Sequence, residues 1–283
     1  MKLAAGVMGS PISHSLSPRL HGYWIKKYGL NASYLAREVK PARLEEILRD
    51  LPKTCEKRGE TFRGTNLTIP LKEKALDIVD ILEPSAKRIG AVNTIVIGDN
   101  GRLIGRNTDG IGFTDNLADH VNVGRFKGGT ALVLGAGGAA KAIVYALQEM
   151  GFSEILITNR TRVRASDLVV HAGAPCQSIA WDEKTARLGD IDLLVNTTSL
   201  GMAGQPALEM SLAGLKKGAV VTDIVYVPLK TDLLIEAENK GHVIVDGLGM
   251  LLHQAKAGFE AWFGVKVDVD DALRAHVLEG LKK

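Results

Sequence analysis

The run Thr130-Ala-Leu-Val-Leu134 passes directly into Gly135-Ala-Gly-Gly-Ala-Ala140. Five residues are too few for a helix and glycines end the run, so the pattern predicts a buried parallel strand. Residues 141–150 then read as a helix. A strand that enters a helix through a glycine turn demands crossover connections, and hence a doubly wound α/β domain. Further apolar runs at 154–158, 192–196, 219–224 and 242–246 continue the alternation.

The first 110 residues alternate in the same way. Strands are expected at 3–7, 34–39 and 64–68, and helices at 17–28 and 42–51. The first helix is read with Ser17 as its N-cap and Pro18 at its first position. Residues 93–97 and 102–105 read as a hairpin across Gly98-Asp-Asn-Gly101, whose Asn-Gly pair favours a tight turn. Four polar motifs stand where apolar runs end: Ser15-Leu-Ser-Pro18, Asn66-Leu-Thr-Ile-Pro-Leu-Lys72, Ala91-Val-Asn-Thr94 and Asn107-Thr-Asp-Gly110. Strands that deliver Ser, Thr, Asn, Lys and Asp to one edge build a pocket for a small polyhydroxylated ligand. Among these groups, Lys72 and Asp109 can move a proton.

Two helices, at 251–263 and 270–281, follow the last strand and are expected to return to the first domain. The expected division is 1–109 plus 249–283 as a mainly parallel α/β substrate-binding and catalytic domain, and 110–248 as a Rossmann-type domain. A cleft is expected between them, with Gly105, Gly110 and Gly247 as hinge candidates.

Composition narrows the class. A length of 283 residues allows about two domains, and 46% hydrophobic residues suffice for their cores. No run reaches the roughly 18 apolar residues of a membrane span, and the apolar start after Met1 is too short for a signal peptide. A net charge of +3, with both signs interspersed and 5% aromatic residues, is no nucleic-acid footprint. Cys55 and Cys176 are isolated, which suits reduced thiols in a cytoplasmic chain. No histidine set has metal-ligand spacing, so no metal is expected. Monomer and homodimer both remain open.

The glycine loop matches G-x-G-x-x-G with Ala140 in the last position. Gly135, Ala136, Gly137, Gly138 and Ala139 bring backbone N–H groups to a helix start, where a pyrophosphate is held. The next strand ends in Asn159-Arg-Thr-Arg-Val-Arg164. A carboxylate here would accept ribose hydroxyls and repel a 2′-phosphate. This chain offers three arginines instead, which points to NADP. Asn159, Arg160, Thr161 and Arg164 are the candidate contacts, with Arg160 and Arg164 on the phosphate.

Together these motifs resemble the shikimate dehydrogenase family. The likeness rests on Pro11–Pro18, Asn66–Lys72, Gly90-Ala-Val-Asn-Thr94 and Gly105-Arg-Asn-Thr-Asp-Gly110 in the first part. It continues in Asn159-Arg-Thr161, Asn196-Thr-Thr-Ser-Leu-Gly-Met202, Asp223-Ile-Val-Tyr-Val-Pro228 and Asp246-Gly-Leu-Gly-Met-Leu-Leu-His-Gln254. The resemblance implies reversible, NADPH-dependent reduction of 3-dehydroshikimate to shikimate, in the biosynthesis of aromatic amino acids. It also implies that Ser15 and Ser17 hold the substrate carboxylate, with Tyr226 nearby. Thr68, Asn93, Asp109 and Gln254 would bind ring hydroxyls. Lys72 would be the acid/base with Asp109 beside it, and Ile224 and Gly247 would lie close to the nicotinamide.

Small departures exist. Leu67 stands where Val is frequent, and Gly22 follows His21 where Asn is common. His14 and His21 are read as packing or hydrogen-bonding residues rather than catalysts. Competing readings are a dual quinate/shikimate dehydrogenase and a non-catalytic metabolite sensor. A glutamyl-tRNA-reductase-like enzyme is rejected, because Cys55 lies in a polar stretch without a base.

Overall fold

In the computed structural model, which describes residues 1–282, the chain divides into two compact units, Met1–Thr108 with Leu252 onward, and Asp109–Leu251. In the first unit, β1 (Lys2–Gly9) lies parallel to β2 (Ala32–Glu38) and to β3 (Glu60–Leu67). Strands β4 (Ile81–Leu82), β5 (Thr94–Ile97) and β6 (Leu103–Arg106) complete a six-stranded sheet of order β2-β1-β3-β5-β6-β4. Here β5 is antiparallel to both β3 and β6, while β4 is parallel to β6. The hairpin across residues 98–101 is present.

Helices α1 (Ser17–Lys27), α2 (Leu44–Glu56), α3 (Leu71–Lys74) and α4 (Pro84–Ile89) connect these strands. Apolar residues at 44, 48, 51 and 55 recur at helical spacing and seal α2 onto Phe62, Ile95 and Leu103. Ser17 is not the cap of α1. Leu16 holds that position without a side-chain hydrogen bond, and the Ser17 N–H donates instead to Ser15 Oγ at 3.3 Å. One turn on, Gly22 is exposed, and a Cβ there would meet nothing within 4 Å. Gly22→Ala is therefore expected to raise stability by about 0.5–1 kcal/mol through helix propensity alone. Urea unfolding monitored by circular dichroism checks this.

The topology of this sheet positions the site. β1, β3 and β6 all end at the edge where the antiparallel β5 begins. Residues 10–17, 68–72, 91–93 and 107–108 therefore share one sheet edge. Asn93 reaches it from the start of a strand, not from the carboxyl end expected of every motif.

The second unit opens with α5 (Asp109–Ala118). Its strands are β7 (Thr130–Leu134), β8 (Glu154–Thr158), β9 (Cys176–Ser178), β10 (Leu193–Asn196), β11 (Val220–Asp223) and β12 (Val243–Val245). Every pairing is parallel, in the order β12-β11-β10-β7-β8-β9. Helices α6 (Gly138–Glu149), α7 (Arg162–Ala172) and α8 (Asp232–Asn239) complete a doubly wound layer with its switch point between β7 and β10. Ile143 and Leu147 of α6 pack with Val133, Ile155 and Val195 in its core.

Helix α9 (Gly247–Phe263) starts in the second unit and ends in the first. Gly247-Leu-Gly-Met250, read from sequence as a segment before this helix, is its first turn. A Cβ on Gly247 would sit 2.2 Å from the Ile224 carbonyl oxygen, and one on Gly249 would sit 1.8 Å from Asn116 Oδ1. These glycines are required for close packing, which outweighs their poor helix propensity. Trp262 then anchors the returning chain, its Nε1–H donating to the Ile95 carbonyl at 2.9 Å. Gly64 makes room for it at φ +147°, in a conformation that side chains avoid. The last helix, α10 (Asp271–Glu279), is joined to α1 by Lys27–Asp270 and Arg19–Glu279 ion pairs at 2.7 and 2.8 Å. Among the described residues no helix is long and apolar enough to cross a membrane.

Candidate active site

In the first unit the polar edge is organised around Asn93, which is 2% exposed. Its Oδ1 accepts from the Thr108 N–H at 2.9 Å and from Thr94 Oγ1 at 2.9 Å. Its Nδ2 donates to Thr108 Oγ1 at 3.0 Å and to Gln254 Oε1 at 3.3 Å. Gln254, carried by α9, is thus brought to Asn93 across 161 residues of sequence. Burying so many polar groups is tolerable only because each is hydrogen-bonded.

Lys72 lies in the single turn of α3 and is half-buried. Its carbonyl accepts the Val92 N–H at 2.8 Å, which fixes the lysine turn against the residue before Asn93. Thr68 follows β3 directly, and there its N–H donates to the Met8 carbonyl at 2.9 Å and its own carbonyl accepts from Leu71 at 2.8 Å. Ser15 and Ser17 are partly exposed at the start of α1. Asp109, 1% exposed, is the first residue of α5 and follows Thr108 directly in the chain.

His14 is exposed. His21 is fully buried and stacked on Tyr34, with ring centroids 3.9 Å apart and planes at 12°. Neither ring nitrogen makes a well-formed hydrogen bond. Burial pushes its pKa down to about 3, an effect the neighbouring Asn66 amide offsets only in part. The unfolded chain therefore takes up this proton first, and stability is lost as pH falls from about 6.5 toward 3. From pH 7 to pH 5 this group is expected to cost about 2 kcal/mol. His21→Leu should flatten that limb, which urea unfolding at the two pH values will show.

In the second unit the cofactor candidates line the carboxyl edge of the sheet. Gly135 follows β7 directly at φ +112°, and its N–H donates to the Thr158 carbonyl at 2.7 Å. A Cβ there would lie 2.4 Å from Thr197 Oγ1, so only glycine fits at the switch point. Ala136 and Ala139 flank Gly137 and Gly138. Gly137 is the exposed N-cap of α6 and supplies no capping side chain. The first N–H groups of α6 therefore lack a side-chain cap, as an incoming pyrophosphate requires.

At the end of β8, Asn159 Nδ2 donates to the Thr161 carbonyl at 2.9 Å, shaping the turn into α7. Thr161 is the N-cap, again without a side-chain bond, and Arg162 and Arg164 occupy the first turn with no acidic residue. Arg160, Arg162 and Arg164 are all exposed. Cations at the positive end of a helix are unfavourable by a few tenths to about 1 kcal/mol each, and an anion bound there reverses the sign. The residues present therefore fit a phosphorylated dinucleotide.

Ile224 and Tyr226 follow β11, where burial pushes the Tyr226 phenol up. Between β10 and β11 lies a network whose residues stand in the sequence motifs but whose role residue type alone does not reveal. The fully buried Asp223 carboxylate accepts from Asn196 Nδ2 at 3.1 Å, Thr231 Oγ1 at 2.8 Å and the Val225 N–H at 2.9 Å. Burial raises its pKa while these donors hold it down. It ties together the loops after β10 and β11 and the start of α8, and so sets the backbone at Ile224. The recurrence of Asn196 and Asp223 at the ends of neighbouring parallel strands was the available signal.

Comparison with known proteins places this architecture. Residues 7–95 match the description "Shikimate dehydrogenase substrate binding domain", residues 116–227 "Shikimate / quinate 5-dehydrogenase", and residues 247–275 "Shikimate 5'-dehydrogenase C-terminal domain". The chain is 51% identical over 274 residues to shikimate dehydrogenase (NADP(+)) of Paramagnetospirillum magneticum, covering 97% of each chain. Among solved structures it resembles shikimate 5-dehydrogenase from Thermus thermophilus, in complex with NADP(H) and shikimate. That match has a TM-score of 0.84 at 36% identity, over 99% of this chain and 98% of the other. It also resembles quinate dehydrogenase from Corynebacterium glutamicum in complex with NAD, with a TM-score of 0.88 at 27% identity over 98% and 99%. Matched along nearly its whole length by sequence and by fold, the chain belongs to the shikimate dehydrogenase family.

Proposed function

We infer that the protein is an NADP-dependent shikimate dehydrogenase, reversibly reducing 3-dehydroshikimate to shikimate. The carrying observation is the Lys72 carbonyl bond to the Val92 N–H, which holds an ammonium-bearing turn beside the Asn93 hub. A ring carbonyl that is reduced needs a proton on its oxygen, and a side chain at this edge can deliver it.

In this reading Ser15 and Ser17 hold the substrate carboxylate, and Tyr226 is a further candidate contact for it. Thr68, Asn93, Gln254 and Asp109 orient the ring hydroxyls. Lys72 and Asp109 handle the proton, with Lys72 as its donor. The first unit thus acts as the substrate domain and the second as the cofactor domain. NADPH supplies the hydride. The Gly135–Ala139 loop would hold its pyrophosphate, Asn159, Arg160, Thr161 and Arg164 its adenosine 2′-phosphate, and Ile224 with Gly247 its nicotinamide. The enzyme would work in the cytoplasm, as a monomer or homodimer, in aromatic amino-acid biosynthesis.

The likeness to a quinate dehydrogenase makes dual specificity the second reading. Initial rates with shikimate and quinate, each with NADP and NAD, test both. Turnover of shikimate with NADP, at least tenfold above the other pairs in kcat/KM, is the expected result. Comparable use of quinate or NAD would overturn the specificity assignment, and absence of turnover with every pair would overturn the activity.

A further inference from the structure

Tyr34 lies on β2, outside every motif that marks the site, yet its hydroxyl reaches the site's buried polar groups. The side chain is 5% exposed and stacked on His21. Its hydroxyl donates to Asn66 Oδ1 at 2.6 Å. Asn66 Nδ2 in turn donates to the Asn93 carbonyl at 3.2 Å and to Thr94 Oγ1 at 3.0 Å. Thr94 Oγ1 donates to Asn93 Oδ1 at 2.9 Å, and Asn93 Nδ2 donates to Gln254 Oε1 at 3.3 Å.

These bonds form a chain in which every donor points the same way, from Tyr34 to Gln254. Its direction is decided at Asn66. If that amide were reversed, its oxygen would face the Asn93 carbonyl, and two acceptors would meet in a buried place. The Asn93 carbonyl thus fixes the amide, and the Tyr34 hydroxyl, donating at 2.6 Å, holds the Asn66 oxygen in that place. Asn93 Oδ1 accepts from Thr94 and from the Thr108 N–H, and Asn93 turns its N–H groups toward the Gln254 side.

We propose that Tyr34 is a positioning residue for substrate recognition, holding Asn66 so that its amide braces the Asn93 carbonyl and Thr94 Oγ1 and keeps the Asn93 side chain in place beside Gln254. The proposal rests on the reading of Asn93 as a shikimate contact. It implies that ring-hydroxyl recognition is coupled to a residue outside the motifs that mark the site.

Tyr34→Phe removes a single oxygen and keeps the stack on His21. The expected result is a rise of about tenfold in the KM for shikimate, equivalent to about 1.4 kcal/mol. The kcat should stay within threefold and the KM for NADP should not change. Thr94→Val breaks the same chain at a later link and should give a similar rise. The double variant should be no worse than either single one, since both act through Asn66. Shikimate affinity by calorimetry supplies a readout independent of turnover. A wild-type KM for shikimate in Tyr34→Phe, or effects of the two variants that multiply, would overturn the proposal. So would a lowered Tm accompanied by equal changes in both KM values. Failure of the wild-type enzyme to turn over shikimate would overturn the functional reading instead.

Discussion

Lys72→Met lowers kcat for shikimate oxidation by about 10²–10⁴-fold, while shikimate still binds within an order of magnitude of wild type. The range is what a positioned general acid or base contributes. Met keeps the length of the side chain and removes only the ammonium. The bond that holds α3 in place comes from the Lys72 carbonyl to the Val92 N–H, and a backbone bond survives the substitution. The bonds of Asn93 to Thr94, Thr108 and Gln254 are made without the ammonium, so ring-hydroxyl recognition is left intact. Lys72→Arg separates proton transfer from charge stabilisation. A guanidinium keeps the charge but does not release a proton at working pH. Activity as low as in Lys72→Met is expected, and recovery to near wild type would show that the charge alone suffices. Steady-state rates with calorimetric shikimate binding decide the matter, and a kcat for Lys72→Met within threefold of wild type would remove Lys72 from the chemistry.

The strands of the second unit were readable because a parallel sheet buried on both faces turns each strand into a continuous apolar run. Thr130–Leu134 and Glu154–Thr158 carry that signature and are strands over those same residues. β4 and β9, of two and three residues, show no period long enough to recognise. The start of α9 was obscured by a physical conflict. Gly247 and Gly249 weaken a helix, yet the Ile224 carbonyl and Asn116 approach so closely that no other residue fits. Ser17 was misplaced for a related reason. Ser followed by Pro is a strong cap signal, but here Ser15 Oγ accepts the Ser17 N–H and the helix begins one residue earlier.

The polar site was legible as residue types and not as a network. Asn93 and Gln254 stand out in sequence, but nothing there shows that one donates to the other across 161 residues. Tyr34 and Asn66 are 32 residues apart and meet only because β1 brings β2 and β3 to either side of it. A hydrogen-bond direction is likewise a property of the assembled neighbours. Residue identity limits it, and the fold chooses it.

Removing both Arg160 and Arg164 as alanines lowers kcat/KM for NADP by about 10²–10⁴-fold and leaves the value for NAD within threefold. Hydrogen bonds to a charged group contribute about 1.5–3 kcal/mol each, so two lost guanidinium contacts account for this range. NAD lacks the 2′-phosphate and loses nothing when they go. The stability change has the opposite sign to the functional one. Arg164 lies in the first turn of α7, Arg160 lies two residues before it, and neither has an ion-pair partner among the described residues. Without bound phosphate, both stand against the positive end of the helix, so the apo double variant should be as stable as wild type or slightly more so. The NADP-induced rise in Tm should nonetheless shrink, because ligand stabilisation follows the logarithm of concentration over Kd. A variant with unchanged apo Tm, a reduced shift with NADP and an unaltered response to NAD assigns the arginines to the 2′-phosphate. Equal losses with both cofactors would instead mean that the turn between β8 and α7 had been disturbed, and would return the phosphate contact to other residues.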